Sequence, residues 1–147
     1  MPKRLYIPAK LRRLVLKRAG ERCEYCLSPV SHTVSSFAIE HIIPLEKGGV
    51  TTADNLALSC QGCNSHKYTK TEAIDPLTKQ PAPLFHPRHK TWREHFGWNQ
   101  DCSMVIGLTA SGRASVAALP LNRPGVVNLR QLLYAAGKHP PHDLEVE

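Results

Sequence analysis

No stretch of this chain approaches the roughly 18 consecutive apolar residues that a membrane-spanning helix needs. Met1 to Lys10 carries no continuous apolar core of the kind found in an export signal. The two absences argue against a helical membrane protein and against secretion, so a soluble, cytoplasmic protein is expected. Internal repeats and low-complexity tracts are missing as well. The 147 residues then suffice for one compact domain with a modest core, or for a small motif domain plus an extension. Acidic residues are scarce at one end only. Residues 1–30 hold eight Lys/Arg (Lys3, Arg4, Lys10, Arg12, Arg13, Lys17, Arg18, Arg22) against Glu21 and Glu24, within a net charge of +7. The remainder is close to balanced. Such a basic end suits contact with phosphate backbones, although a solvated helix face has the same composition.

What is present in an informative pattern is cysteine. Four of the five cysteines form two Cys-x-x-Cys pairs, Cys23/Cys26 and Cys60/Cys63, and Cys102 is left over. Two disulfides or a redox dithiol are the alternatives. Without an export signal, a metal site is the favoured reading. Four thiolates at about 2.3 Å complete a tetrahedral zinc shell with no position left for water, so this zinc would be structural. Cys102 reads as an ordinary thiol rather than a nucleophile.

Local patterns suggest the following elements. Pro8 to Ala19 reads as an amphipathic helix with Ile7, Leu11, Leu14 and Val15 on its apolar side and its basic face outward. Thr33 to Ile43 is rich in β-branched residues and reads as a strand that Pro44 ends. Gly48 and Gly49 form a loop, Leu56 to Ser59 a second strand, and a helix begins near Gln61. Asp75 to Arg88, with four prolines, reads as an extended connector rather than a regular element. Beyond it come a short helix at Thr91 to Phe96, a strand at Met104 to Leu108, and helices near 110–119 and 123–136. Thr109 and Asn122 look like their caps, and Gly137 closes the second.

Between the two cysteine pairs lie Glu40-His41-Ile42-Ile43-Pro44, Gly48-Gly49, Asn55-Leu56-Ala57-Leu58, and then Cys60-Gln61-Gly62-Cys63-Asn64-Ser65-His66-Lys67. This order resembles the HNH endonuclease family, over Cys23 to Lys67. The resemblance implies an α+β fold with a ββα-metal unit stapled by the Cys₄ zinc site; the local patterns add the basic helix before it and a mixed, mainly helical extension after it. Residues 1–74 would form the nuclease domain and 75–147 an extension packing on it. It also implies roles. His41 matches the general base, and an imidazole suits deprotonation of water near neutral pH. Glu40 and Asn64 match ligands of a catalytic ion, and as hard oxygen donors they suit Mg²⁺ or Mn²⁺. Asn55 matches the middle residue of the motif, bridging backbone across the loop or orienting the histidine. Lys67 and His66 would face the scissile phosphate or its neighbours, and Arg12 and Arg13 would supply backbone contacts from the basic helix.

The family commonly has aspartate where Glu40 stands, and Asn64 replaces the last histidine, as in an H-N-N subclass. Both departures favour Mg²⁺ or Mn²⁺ over a histidine-held catalytic zinc. Glu40 and His41 are neighbours on a strand, so their side chains should point to opposite faces unless the strand kinks. Three functions follow. The first is a metal-dependent endonuclease acting on DNA, with RNA not excluded and with a targeting partner protein conceivable. The second is a catalytically inactive, zinc-dependent nucleic-acid-binding module. The third is a zinc-stabilised interaction protein, which the Glu-His pair argues against. For residues 84–98, with Trp92, Phe96 and Trp98 among His86, His89 and His95, packing is favoured over a base-stacking surface.

Overall fold

The computed structural model describes residues 6–142; Lys3 and Arg4 of the basic segment lie outside them. Helix α1 spans Ala9–Arg18, capped by Pro8, with Lys17 and Arg18 in its last turn, where the dipole favours cations. Its buried side is a strict four-residue step, Ile7, Val15 and Ala19 with Leu11 partly buried, set against Leu56 and Leu58. Leu14, expected on that side, is 43% exposed. It stands about 100° round the helix from Val15.

The strand expected from Thr33 is shorter. A one-turn helix occupies Val30–His32, and only Ala38–His41 pairs, as β1. Its antiparallel partner β2, Leu56–Ser59, has four residues, in register from Ala38 opposite Ser59 to His41 opposite Leu56. Upstream residues have no strand to pair with, and Val34 stands fully exposed. After Pro44 the chain makes a single turn at Leu45–Lys47, and Gly48 takes φ 89°. A Cβ on Gly49 would lie 1.8 Å from the Ile43 carbonyl oxygen, so only glycine fits there. Helix α2, Gln61–Lys67, begins directly after β2. The ββα order is thus complete within residues 38–67.

The proline-rich connector is partly regular. Glu72–Ile74 (β3) and Pro81–Pro83 (β4) form a hairpin in which Ala73 faces Ala82. The two prolines occupy alternate positions, so Ala82 carries the ladder's donor. Asp75 folds the intervening turn, accepting from Leu77 and Thr78 and binding Arg113 through two bonds of 2.9 Å. The Arg113 guanidinium holds the Asp75 carboxyl well below the usual carboxylate range. Helix α3 (Trp92–His95) runs into β5 (Phe96–Trp98), which pairs with β6 (Val105–Gly107); β5 gave no signal in the sequence. Thr109 caps α4, Ala110–Ala118, by accepting from the Gly112 amide. Asn122 is not a cap: its side chain exchanges two bonds with the Val105 backbone, and α5 (Pro124–Ala135) starts after Arg123.

One core joins the two halves of the sequence. Tyr25, Leu27 and Ile42 pack with Phe85, Trp92, Phe96, Leu119, Leu121 and Val126. Trp92 and Phe96 are therefore packing residues, and Trp92 Nε1 donates to the Tyr25 carbonyl at 3.0 Å. Buried Arg130 donates to the carbonyls of Cys26, Ser103 and Leu121, which compensates the removal of its charge from water. No helix among the described residues is long and apolar enough to cross a membrane.

The seat of α1 on β2 gives a stability prediction. Leu58 is 1% exposed in that contact, so Leu58→Ala is expected to cost ~2–5 kcal/mol, read as a lowered denaturant midpoint at unchanged slope.

Candidate functional site

The turn at Cys23–Cys26 is built by backbone bonds. The Leu27 amide donates to the Cys23 carbonyl and the Cys23 amide to Ser28, while Leu27 adopts φ 65°. The second pair straddles the start of α2, with Cys60 as its cap and the Cys63 amide directed at the Cys60 sulfur. All four thiols are buried, and their sulfurs lie within 4.8 Å of one another. Cys26 and Cys60 are 3.6 Å apart, far beyond a disulfide's roughly 2.05 Å. A tetrahedron with zinc–sulfur distances of 2.3 Å has edges of about 3.8 Å. The four sulfurs therefore fit one zinc ion, which they could hold.

Basic groups face this cluster from the C-terminal half. Arg123 reaches Cys60 at 3.3 Å and Cys63 at 3.6 Å, and also binds the Leu119 and Pro120 carbonyls. A Cβ on Gly62 would meet the Arg123 guanidinium at 2.5 Å, so the glycine is what lets the arginine approach. A thiolate cluster around a divalent ion carries excess negative charge, and a guanidinium beside it offsets that charge. Hydrogen bonding from Cys23 pulls Cys60 far down and brings Cys26 to about 7, while burial pushes Cys23 up.

On β1, Glu40 and His41 are both buried and have different partners. Glu40 accepts from the Tyr25 hydroxyl on one oxygen and faces Lys67 Nζ at 3.4 Å with the other. Burial raises the Glu40 carboxyl above the usual range, and Lys67 opposes that rise. His41 Nε2 is 2.8 Å from Thr51 Oγ1, and burial lowers the imidazole. Their heads diverge as alternation requires, yet both line one open cavity of about 370 Å³ with Asn64, Pro44 and Leu45. The chain bends at Ile42 and Ile43 immediately after. The Asn64 side chain makes no hydrogen bond among the described residues.

One expected role changes, and Asn55 takes the loop-bridging one of its two expected roles. Lys67 does not face outward: it is 1% exposed, donates to the Ile42 carbonyl at 2.8 Å and neutralises Glu40. Asn55 spends its amide on the loop, accepting from the Ile43 amide and donating to the Ile43 and Val50 carbonyls. Thr51, not Asn55, holds the histidine ring. His66 is exposed at the end of α2, and Arg12 and Arg13 are exposed on α1, with Arg12 Nε tied to the Ile7 carbonyl. Tyr25, Thr51 and Arg123 gave no signal as site residues. Only their neighbours in space reveal them.

Residues 23–70 match the family model for HNH endonuclease. The matched segment contains the four cysteines, Glu40, His41, Asn55, Asn64 and Lys67. No curated protein matches the chain. Arg123 and Trp92, which contact the matched segment, lie outside it.

The purified chain is expected to carry one zinc per molecule by elemental analysis, and Cys63→Ser to lose it together with the cooperative melting transition. A second expectation concerns acid. Burial and the stacked His89 ring bring His86 down to about 4, whereas an unfolded histidine titrates near 6.5. Between those values the unfolded chain takes the proton first, so stability falls as pH falls through this window. His86→Gln should flatten that fall, measured as melting temperature against pH.

Proposed function

We propose that the protein is a metal-dependent endonuclease that hydrolyses phosphodiester bonds in DNA. The observation carrying this reading is the shared cavity: a buried carboxylate, a buried imidazole and an amide without a hydrogen-bond partner among the described residues open onto one space beside the ββα unit. Glu40 and Asn64 would hold Mg²⁺ or Mn²⁺, which suits their oxygen donors. When bound, that ion stabilises the charge of the leaving oxygen and the phosphate. The chain's own residues supply the rest. Lys67 and Tyr25 fix the Glu40 carboxylate and oppose the rise that burial imposes on it. Thr51 fixes the His41 ring, and a lowered imidazole is already neutral near pH 7, the form that accepts a proton from water. Zinc at the four cysteines would be structural, and the exposed cations of α1, Arg12 and Arg13 among them, would follow the phosphate backbone. Cytoplasmic action and a partner that chooses the target belong to the same proposal.

A second reading, a zinc-dependent nucleic-acid-binding module without catalysis, is favoured by one observation. Both Glu40 oxygens already face protein donors, Tyr25 and Lys67.

Supercoiled plasmid separates the two readings. Nicking or linearisation is expected with added Mg²⁺ or Mn²⁺ and none when the ion is omitted. His41→Ala should lose ~10²-fold or more in rate at unchanged zinc content and melting temperature. Retained DNA binding with no cleavage in any metal would favour the binding module.

A further inference from the structure

A second cavity of about 280 Å³ lies between the end of α1 and the segment that leads into α3. Its charged lining is Arg18, Arg22, Arg88 and Lys90 against one carboxylate, Glu24. That carboxylate is already engaged: Glu24 pairs with Arg88 and accepts from the Leu58 amide at 2.8 Å. Arg18 donates to the Leu56 carbonyl. The Nε atoms of Arg18 and Arg88, like that of Arg130 in the core, are buried with no hydrogen-bond partner among the described residues. Burial lowers Arg18 from its ordinary value. Four cations against one carboxylate leave the cavity lining net positive, so an anion entering it meets charge-assisted donors.

The cavity is mechanically tied to the proposed cleavage site. Arg18 and Glu24 hold Leu56 and Leu58 on the edge of β2 away from β1, while β1 carries Glu40 and His41. One strand spacing, about 4.8 Å, separates the two strands. Tyr25 reaches both places, its hydroxyl on Glu40 and its carbonyl on the indole of Trp92, which lines the cavity.

We infer that this cavity is a phosphate-binding site for the nucleic-acid strand, separate from the phosphate being cleaved. The ligand is a backbone phosphodiester, received by Arg18, Arg22, Arg88 and Lys90. The inference rests on the nucleic-acid part of the proposed function and not on catalysis. Its role is to set the strand's position, because phosphate contacts fix register without reading sequence.

The test measures binding of a fluorescein-labelled 16-base-pair DNA duplex by anisotropy across a salt series. It uses zinc-loaded full-length protein carrying His41→Ala, with no added Mg²⁺, so that cleavage cannot interfere. Into this background go Lys90→Gln, Arg22→Gln and their combination, with Lys79→Gln on the exposed β3–β4 turn as control. These positions spare the Arg88–Glu24 pair. The double variant should flatten the slope of log K against log salt by about 1–2 and weaken binding to unrelated sequences alike. The control should leave both unchanged. Melting temperature confirms that each variant is folded. Unchanged slope and affinity in a folded double variant would overturn the inference. So would calorimetric binding of inorganic phosphate that the double variant loses while duplex binding persists, since the site would then serve a free phosphorylated ligand. If the slope falls but wild-type protein cleaves no plasmid, the phosphate site stands and only the nuclease reading fails.

Discussion

Everything else in this molecule is arranged around the convergence of four cysteine sulfurs. The two turns that bring them together are separated by the whole two-stranded sheet, one before β1 and one at the start of α2. Between them the sheet has only two four-residue strands, too little to hold its shape unaided. The cluster fixes where β1 starts from and where α2 departs, which in turn places Glu40, His41 and Asn64 around one cavity. The same sulfurs draw in Arg123 from the other half of the chain. A small sheet thereby gains support on both sides.

The polar interior follows a common pattern, in which a buried charge is met by fixed partners. Lys67 meets Glu40, Asp75 meets Arg113, and Arg130 meets a ring of carbonyls. Each arrangement makes the position of one segment depend on another far away in sequence. Breaking one partner leaves the other charge stranded in a low-dielectric setting. These contacts therefore specify geometry more than they add stability. The basic cavity differs in this respect, since four cations line it against one carboxylate.

Much of the ββα unit was legible because its signals are local. Pro44, the glycine pair, the apolar run at Leu56 and the cysteine spacing each act within a few residues. The Thr109 cap and the closing Gly137 were legible for the same reason. What escaped depends on distant partners. Thr33 to Phe37 has strand composition but faces no strand. Proline content concealed the hairpin at Glu72–Pro83, because alternate placement of Pro81 and Pro83 is harmless only against a particular register. At the site, residue types identified Glu40 and His41, but nothing in Tyr25, Thr51 or Arg123 announces what each touches. Lys67 was found as a residue and misplaced as a contact, since a lysine at a helix end ordinarily faces water.

Arg123 and Trp92 also bear on where the functional unit ends. The segment that matches HNH endonuclease stops at Lys70, yet the cation against its sulfurs and the indole beneath Tyr25 arrive from beyond that point. A fragment cut at Lys70 would keep every motif residue while exposing the apolar underside of Tyr25 and leaving the sulfur cluster's charge unscreened. Motif and folding unit are therefore different objects in this chain. Grafting the short segment into another scaffold would transfer the letters of the site without the walls that shape it.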